Sequence, residues 1–336
     1  YDPLKFAIEE CHRRGMELHA WIVTIPIGNT RQVNFKVKNR NTKTASICKL
    51  YKGTWYLDPG NPQTDNYLAS IVREIVSRYD IDGIHLDYIR YPERASDFPD
   101  QSTYRKYGKK ESLQQWRRNN INPHCAAYLY RNKIAKALGK GKQFSCWKIQ
   151  RYQTLSSRGW NAYEVVYQDA LQWLKNGIHD AFIPDDDFQG NHFYPFALDW
   201  QENKKDDWIV PGLGIYFLHP KEQNWQLDEV VRQISFLRNI KLDGQAYFRN
   251  RFLVDNTKGV FDELKEHFYT QPAAIPGYDM DRQQAPSVPA NPVFIPLDKG
   301  VIKRNASTDN SSVPVYYRIY ASNTYPIDIT QASNLI

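Results

Sequence analysis

The chain has 336 residues and 41% of them are hydrophobic, so it can bury a large core. This composition is not that of a disordered protein. No apolar run reaches the roughly 18 residues that a membrane-spanning helix needs, so no transmembrane segment is expected. The net charge of +7 does not by itself predict a nucleic-acid-binding protein, because most of the basic excess comes from one segment, residues 104–142.

The first predicted element is a helix over residues 2–14. Asp2 is placed to cap it, Pro3 suits the first helical position, and Gly15 follows its end. A short apolar strand, residues 18–23, comes next. The same order returns with a helix over 64–79 and a strand with the sequence IDGIHLDYI.

Further copies of this helix-then-strand pattern continue along the chain, and one more strand is predicted over residues 208–217. The predicted helix and strand pairs are 124–138 with 143–149, 161–176 with 179–185, and 226–239 with 243–248. Continuous apolar strands that alternate with helices predict a parallel sheet, so the fold class is α/β. Six strands are counted, whereas a (β/α)8 TIM-type barrel needs eight. A doubly wound sheet would suit six, but its glycine-rich dinucleotide turn is missing.

The basic segment and the cysteines give no sign of a cofactor. Residues 104–142 hold eleven Lys and Arg against one acid, and we interpret them as a solvated surface because no nucleic-acid-binding motif accompanies them. The four cysteines are far apart and form no CxxC pair, which predicts reduced thiols rather than a zinc site or disulfides. We therefore expect no metal, no cofactor and no nucleic-acid partner.

The pattern changes after residue 270. Residues 271–296 contain six prolines without helical periodicity, which predicts an extended linker. Residues 313–322 alternate like a β-sandwich strand. The predicted organisation is a barrel domain over 1–270, the linker over 271–296, and a partial β domain over 297–336.

Polar and aromatic residues follow the predicted strands, where the functional groups of parallel barrels gather. Asp87, which ends the IHLD run, is the main catalytic candidate, because a carboxylate beside aromatic rings and Arg90 is suited to proton transfer. We expect it to project into a cleft. The other candidates for binding a substrate are His19, Trp21, Asp58, His85, Tyr88, Arg90, Tyr91, Trp147, Tyr216, Gln245 and Tyr247.

The acidic cluster of the sequence PDDDF, residues 184–188, has three interpretations. It is either a turn, a catalytic or substrate-binding group, or a calcium site, since clustered carboxylates suit hard cations. Asp185 and Asp187 are retained as candidates for a second catalytic carboxylate. The sequence WYLDPGNP, residues 55–62, predicts mostly a loop and a helix start, with Asn61 as the cap.

Three segments resemble the bacterial glycosyl-hydrolase-like family ten. They begin YDPLKFAIEECHRRGMELHAWI, WYLDPGNPQTDNYLAS and GIYFLHP, and the resemblance extends over about residues 1–270. It implies a (β/α)8 barrel whose first two strands precede Tyr1, and it is strongest at the mouth residues His19, Trp21, Asp58, His85, Asp87, Gln245 and Tyr247. The PDDDF sequence departs from the pattern of the family. Residues after 290 resemble the start of a fibronectin type III-like domain.

The resemblance implies a glycosidase that acts on envelope or other polysaccharide glycans, in which Asp87 is the acid/base or the nucleophile. A non-catalytic glycan-binding protein with the same aromatic residues is the alternative. By the same resemblance, GNHFYPFALDW, residues 190–200, would be a substrate loop. We expect a monomer that is periplasmic, attached to the outer membrane as a lipoprotein, or secreted.

Overall fold

The structure is a computed structural model. It describes residues 1–29, 45–108, 110–121, 143–147, 162–175, 179, 181–185, 188–204, 208–271, 273, 287–295, 301–305, 307 and 317–335. The chain divides into two compact units, one formed by Tyr1–Leu138 with Lys142–Asp262 and the other by Gly139–Gly141 with Glu263–Ile336. The predicted helix over 124–138 lies outside the described residues.

The first two helices of the first unit begin at residues whose side chains cap them. The Asp2 carboxylate accepts hydrogen bonds from the amides of Leu4 and Lys5 at 3.1 Å, and Asn61 caps the second helix. The helices are α1 (Pro3–His12), α2 (Pro62–Arg78), α3 (Gln101–Tyr107), α4 (Leu113–Ile121), α5 (Ala162–Val165), α6 (Ala170–Lys175), α7 (Tyr194–Asn203), α8 (Leu227–Asn239), α9 (Asn250–Val254) and α10 (Val260–Glu263). In the part of the chain that the structure describes, no helix has the length and apolarity to cross a membrane.

The strands of the first unit form a parallel sheet and a small antiparallel one. They are β1 (His19–Val23), β2 (Pro26–Asn29), β3 (Cys48–Tyr51), β4 (Thr54–Leu57), β5 (Gly83–Asp87), β6 (Gln143–Trp147), β7 (Ala181–Ile183), β8 (Trp208–Ile209), β9 (Gly212–Leu213) and β10 (Ala246–Tyr247). The parallel sheet has the order β1-β5-β6-β7-β8, and β10 pairs in parallel with β9. The predicted α/β class is confirmed, while closure into an eight-stranded barrel stays a prediction.

The strand β5 lies at the centre of the first unit's core. All five of its residues are buried, as expected for a parallel strand covered on both faces. Ile84 and Leu86 belong to the same apolar cluster as Ile8 of α1 and Leu68 of α2. This packing fixes the depth at which the last residue of β5, Asp87, emerges from the sheet.

Several predicted elements differ from the structure. The predicted helix over 161–176 is divided into α5 and α6, because Tyr167 adopts a left-handed conformation with φ of 59°. The strand predicted over 208–217 is interrupted after Ile209 and gives way to a 3-10 helix over Ile215–Leu218.

Two predicted loops contain regular structure. In the WYLDPGNP segment, residues 55–57 belong to strand β4, which pairs with both β2 and β3. Residues 58–61 form the predicted turn, and α2 starts at Pro62 with Asn61 as its cap. The expected substrate loop over 190–200 instead forms a 3-10 turn and most of α7.

The second unit contains one antiparallel pair of strands, β11 (Val293–Ile295) and β12 (Val301–Lys303). The first of these lies inside the predicted linker over 271–296, so pairing begins earlier in the chain than expected. Of the strand predicted over 313–322, the described residues 317–322 show one isolated bridge, from Tyr320 to Leu335. The type III-like domain stays a prediction.

Candidate functional site

The candidate site is centred on Asp87, at the carboxyl-terminal end of β5. Its Oδ2 accepts a hydrogen bond from the indole Nε1 of Trp21 at 3.2 Å, and its Oδ1 accepts one from the backbone amide of Tyr88 at 2.6 Å. Thr24 donates its hydroxyl to the Asp87 carbonyl at 2.8 Å. The carboxylate is therefore held by neutral donors from both its own strand exit and the neighbouring strand.

Asp87 is more enclosed than the sequence predicted. Its exposure is 1%, so it does not project into an open cleft in this structure. The side chain that donates to it, Trp21, is 54% exposed. The expected combination of a strand-end carboxylate and an aromatic ring is present, but the ring, not the carboxylate, faces the solvent.

His85 precedes Asp87 by two residues in β5, so the two side chains lie on the same face of the sheet. It pairs in register with Trp21, and the two rings meet edge to face at a centroid distance of 6.2 Å. Burial, with a smaller contribution from the charge of His19, lowers the pKa of His85 from 6.5 to about 3. The imidazole is therefore neutral at physiological pH, and it is not a source of positive charge beside Asp87.

Tyr88 turns the chain sharply at the end of β5. Its φ is 52°, in the left-handed region that a residue with a side chain seldom adopts. This turn directs the Tyr88 amide back to the Asp87 carboxylate. The Arg90 guanidinium lies 5.1 Å from the centre of the Tyr88 ring. Strained backbone at a strand exit is typical of functional sites.

The location predicted for His19 is corrected by the strand register. His19 is the first residue of β1 and pairs with Gly83, the first residue of β5. His19 is level with a position four residues before Asp87, at a distance of about 13 Å along the strand direction. His19 therefore lies at the amino-terminal edge of the sheet, where its ring hydrogen-bonds to Glu17.

Two other predicted site residues belong to the core. Asp58 is fully buried, and its carboxylate accepts a hydrogen bond from the Thr103 hydroxyl at 2.5 Å and lies 3.4 Å from the Lys49 ammonium group. Burial is the main cause that raises its pKa. Tyr91 is also fully buried, between Phe98 and Tyr167. Neither side chain is accessible to a sugar in this structure, because packing encloses both.

The remaining predicted site residues lie in different elements and make different contacts. Arg90 directs its guanidinium to Glu93, at 3.1 Å, and to the Tyr91 carbonyl, at 3.2 Å. Tyr216 is half-buried in the 3-10 helix after β9. Tyr247 is half-buried in β10, which pairs with β9, and the half-buried Gln245 comes just before this strand. The backbone of Trp147 ends β6, but its side chain lies outside the described residues.

Asp185 follows β7 and is a candidate partner for Asp87. It pairs in parallel with Gly212 and is 7% exposed. Asp187 lies outside the described residues. Across the described ranges, no group of three or more His, Cys, Asp or Glu is placed to hold a metal ion.

Sequence reasoning missed two residues, one beside the site and one in the core. Phe248 lies at 6.0 Å from Trp21 and 5.7 Å from Tyr216, measured between ring centroids, and so joins two predicted residues into one aromatic cluster. Its position as the last residue of the predicted strand 243–248 could have indicated this. Arg117, counted among the surface charges, is 1% exposed and pairs with Asp100 at 2.6 Å. Nothing in its local sequence distinguishes it from the exposed Arg and Lys around it.

The fold and the site together define an α/β protein with a carboxylate and an aromatic cluster at the carboxyl-terminal edge of a parallel sheet. This is the edge at which such folds bind ligands. Comparison with known proteins assigns the family. A family model described as "Glycosyl hydrolase-like 10" matches residues 1–216, and the chain belongs to this family.

Curated relatives carry glycosyl hydrolase names. The chain is 28% identical to "Glycosyl hydrolase YngK" of Bacillus subtilis (strain 168) over 343 residues, which is 95% of this chain and 67% of the relative. It is 33% identical to "Glycosyl hydrolase DigH" of Escherichia coli (strain K12) over 206 residues, which is 55% of this chain and 46% of the relative. The chain therefore spans about two thirds of one relative and matches less than half of the other.

One solved structure of similar shape is the glycoside hydrolase domain of PgaB (BpsB) from Bordetella bronchiseptica. The TM-score is 0.47 and the sequence identity is 13%, over 75% of each chain. This similarity is too low to support a conclusion. The expected family membership is confirmed by the family match over residues 1–216.

Proposed function

We propose that the protein is a glycoside hydrolase that acts on bacterial envelope glycans or other polysaccharides, with Asp87 as a catalytic carboxylate. The observation that carries this proposal is the placement of Asp87 at the end of β5, hydrogen-bonded to the exposed Trp21. Membership of a glycosyl hydrolase-like family supports the reaction class. The proposal includes a location in the periplasm, on the outer membrane or outside the cell.

Asp185 is the proposed second carboxylate. Leu86 pairs with Cys146 and Cys146 with Phe182, so Asp87 is level with Ile183, two strands away in the sheet. Asp185 lies two residues after Ile183, so its side chain is expected on the same face of the sheet as that of Asp87. Two strand spacings and two residues place the two aspartate Cα atoms about 10–12 Å apart.

This separation favours hydrolysis with inversion. Inverting glycosidases hold their carboxyl groups about 6.5–9.5 Å apart so that a water fits between them, whereas retaining ones hold them about 5–5.5 Å apart. Side chains that converge from backbones about 10–12 Å apart suit the wider range. The expected first product has the opposite anomeric configuration, which proton NMR of a fresh reaction mixture measures.

The aromatic cluster of Trp21, Phe248 and Tyr216 supplies apolar surface for sugar rings. Aromatic rings beside a few polar groups are usual in sites that bind sugars. With an exposure of 54%, the indole of Trp21 is accessible in this structure. Because Asp87 is only 1% exposed, the approach of substrate and water to its carboxylate requires a side chain around it to move.

The test compares two aspartates at opposite ends of the same strand. Asp87→Asn is expected to lower hydrolysis of peptidoglycan-type and other envelope glycans about 10²–10⁴-fold. Asp82→Asn is the matched control, since Asp82 accepts hydrogen bonds from the Leu18 amide and from His12 before β5 begins. The control is expected to keep activity close to the parent, per folded molecule. An Asp87→Asn variant as active as the parent would remove the assignment.

A non-catalytic glycan-binding protein is the second candidate function. It is favoured by the burial of both carboxylates, of which Asp87 is hydrogen-bonded to the exposed Trp21. In that case, glycans would bind and remain intact after long incubation, and Trp21→Ala would abolish binding while Asp87→Asn would not. Product analysis by mass spectrometry, together with calorimetric binding, separates the two functions.

A further inference from the structure

The two oxygens of the Asp87 carboxylate each receive an N–H group. The Tyr88 amide reaches Oδ1 at 2.6 Å and the Trp21 indole reaches Oδ2 at 3.2 Å. Hydrogen bonds donated to a carboxylate favour its ionised form over the neutral acid, and at Asp87 they oppose the effect of burial, which favours the neutral acid. A group that must protonate a leaving oxygen needs the opposite environment, in which the neutral acid is favoured.

We propose that Asp87 is the general base of the reaction and not its proton donor, and that Trp21 positions it. This inference rests on the proposed function and assigns the role of that same site. The strand exit supplies one donor through the left-handed turn at Tyr88, and β1 supplies the other. The two donors fix the carboxylate plane from both sides.

The reaction then balances as a single displacement. Asp87 takes a proton from water while the water oxygen forms a bond to the anomeric carbon. The bond from that carbon to the glycosidic oxygen breaks, and its electron pair stays on that oxygen. The glycosidic oxygen takes a proton from a second carboxyl group, for which Asp185 is the candidate, so one water is consumed per linkage.

Trp21 has two functional ends in this arrangement. Its ring face is exposed and meets Phe248, while its Nε1 hydrogen atom is directed to Asp87. A sugar ring stacked on the indole would hold the N–H in place on the carboxylate. Replacement by phenylalanine keeps an aromatic platform and removes the N–H, so it separates the two contributions.

The first arm of the test uses the leaving group. Parent and Asp87→Asn are assayed on matched 4-nitrophenyl and methyl glycosides of common bacterial sugars. A missing base slows both members of a pair by a similar factor, because 4-nitrophenolate leaves without a proton but still needs an activated water. A loss confined to the methyl glycoside would identify Asp87 as the proton donor and overturn the inference, with the proposed function intact.

The second arm uses Trp21→Phe with Trp225→Phe as the matched control. Trp225 also donates its indole N–H, to Gln223 at 2.9 Å, and is buried away from Asp87 in the chain segment before α8. Trp21→Phe is expected to lower kcat about 10–100-fold, the effect of one hydrogen bond to a charged group, with little change in KM. Trp225→Phe is expected to leave kcat unchanged.

Three further outcomes overturn the inference. One is a Trp21→Phe variant whose kcat falls no further than that of Trp225→Phe, and another is a change in KM alone. The third is a parent protein that cleaves no glycoside of the panel and no envelope glycan, which would remove the proposed function as well.

Discussion

Replacement of Arg117 by alanine is expected to destabilise the first unit strongly. The guanidinium is 1% exposed and makes two parallel hydrogen bonds to Asp100, at 2.6 Å from Nη2 and 2.9 Å from Nε. It also donates to the carbonyls of Ala95 and Phe98, at 2.7 and 3.1 Å. These contacts fasten the segment that leaves β5 to helix α4.

The magnitude follows from the charge that the substitution leaves behind. Without Arg117, the fully buried carboxylate of Asp100 loses its cation, and such a loss costs about 3–5 kcal/mol of unfolding free energy. For a unit of this size, that corresponds to a fall in Tm of roughly 6–20 °C. Differential scanning calorimetry and urea unfolding both measure it.

Two further variants test the cause. Arg117→Lys keeps the charge but not the paired geometry, so an intermediate loss is expected. The double variant Arg117→Met with Asp100→Leu removes both charges and is expected to be more stable than Arg117→Ala, because no unpaired buried charge remains.

The control is Arg78→Ala. Arg78 pairs with Glu74 at 2.8 Å on the exposed face of α2, and both side chains are mostly in solvent. Its loss is expected to cost about 0–1 kcal/mol. If Arg117→Ala costs no more than Arg78→Ala, the assignment of Arg117 as a buried structural cation is refuted.

Three other predictions concern the strand β5 and its surroundings. Gly83→Ala is expected to cost about 1–3 kcal/mol, because its Cβ would lie 2.5 Å from Nδ1 of His19, and the added change His19→Ala is expected to reduce this loss in urea unfolding. The pKa of His85 falls from 6.5 to about 3 on folding, so between these pH values the unfolded chain binds a proton that the folded chain excludes. The free energy of unfolding is therefore expected to decrease as pH falls through this window, by up to roughly 1.4 kcal/mol per pH unit. The His85→Gln variant should lack this part of the acid dependence, and an unchanged slope would contradict it. Burial raises the pKa of Asp58 above 3.8, so ionisation of this group lowers the stability of the folded state as pH rises. The free energy of unfolding of Asp58→Asn should therefore increase relative to that of the parent between acid and neutral pH. A difference between the two that does not change with pH would contradict this.

The helices with explicit sequence signals were predictable. Asp2 with Pro3 and Asn61 with Pro62 marked the starts of α1 and α2, because capping depends on residues adjacent in the chain. The buried run that became β5 was also recognisable, because Ile84 and Leu86 give it an apolar face and Gly83 precedes them at a strand start. The α/β class followed from the alternation of these elements.

The breaks within elements were not predictable from periodicity. The interruption at Tyr167 divides a helix whose apolar pattern is continuous, because a local left-handed turn leaves that pattern unchanged. The pairing of β2 with β4 joins segments far apart in the chain, so local signals did not predict it. The pairing of β3 with β4 is a local hairpin, but the loop signals that follow it in WYLDPGNP concealed the strand.

The sequence by itself determined that Asp87 ends a buried strand and has aromatic residues beside it. Only the tertiary structure decided which residues surround it. The register of β1 against β5 brings Trp21 to Asp87 and takes His19 to the other edge, while packing encloses Asp58 and Tyr91. The physical reason is that residue type and spacing are local properties, whereas burial and hydrogen-bond partners arise when distant strands are placed side by side.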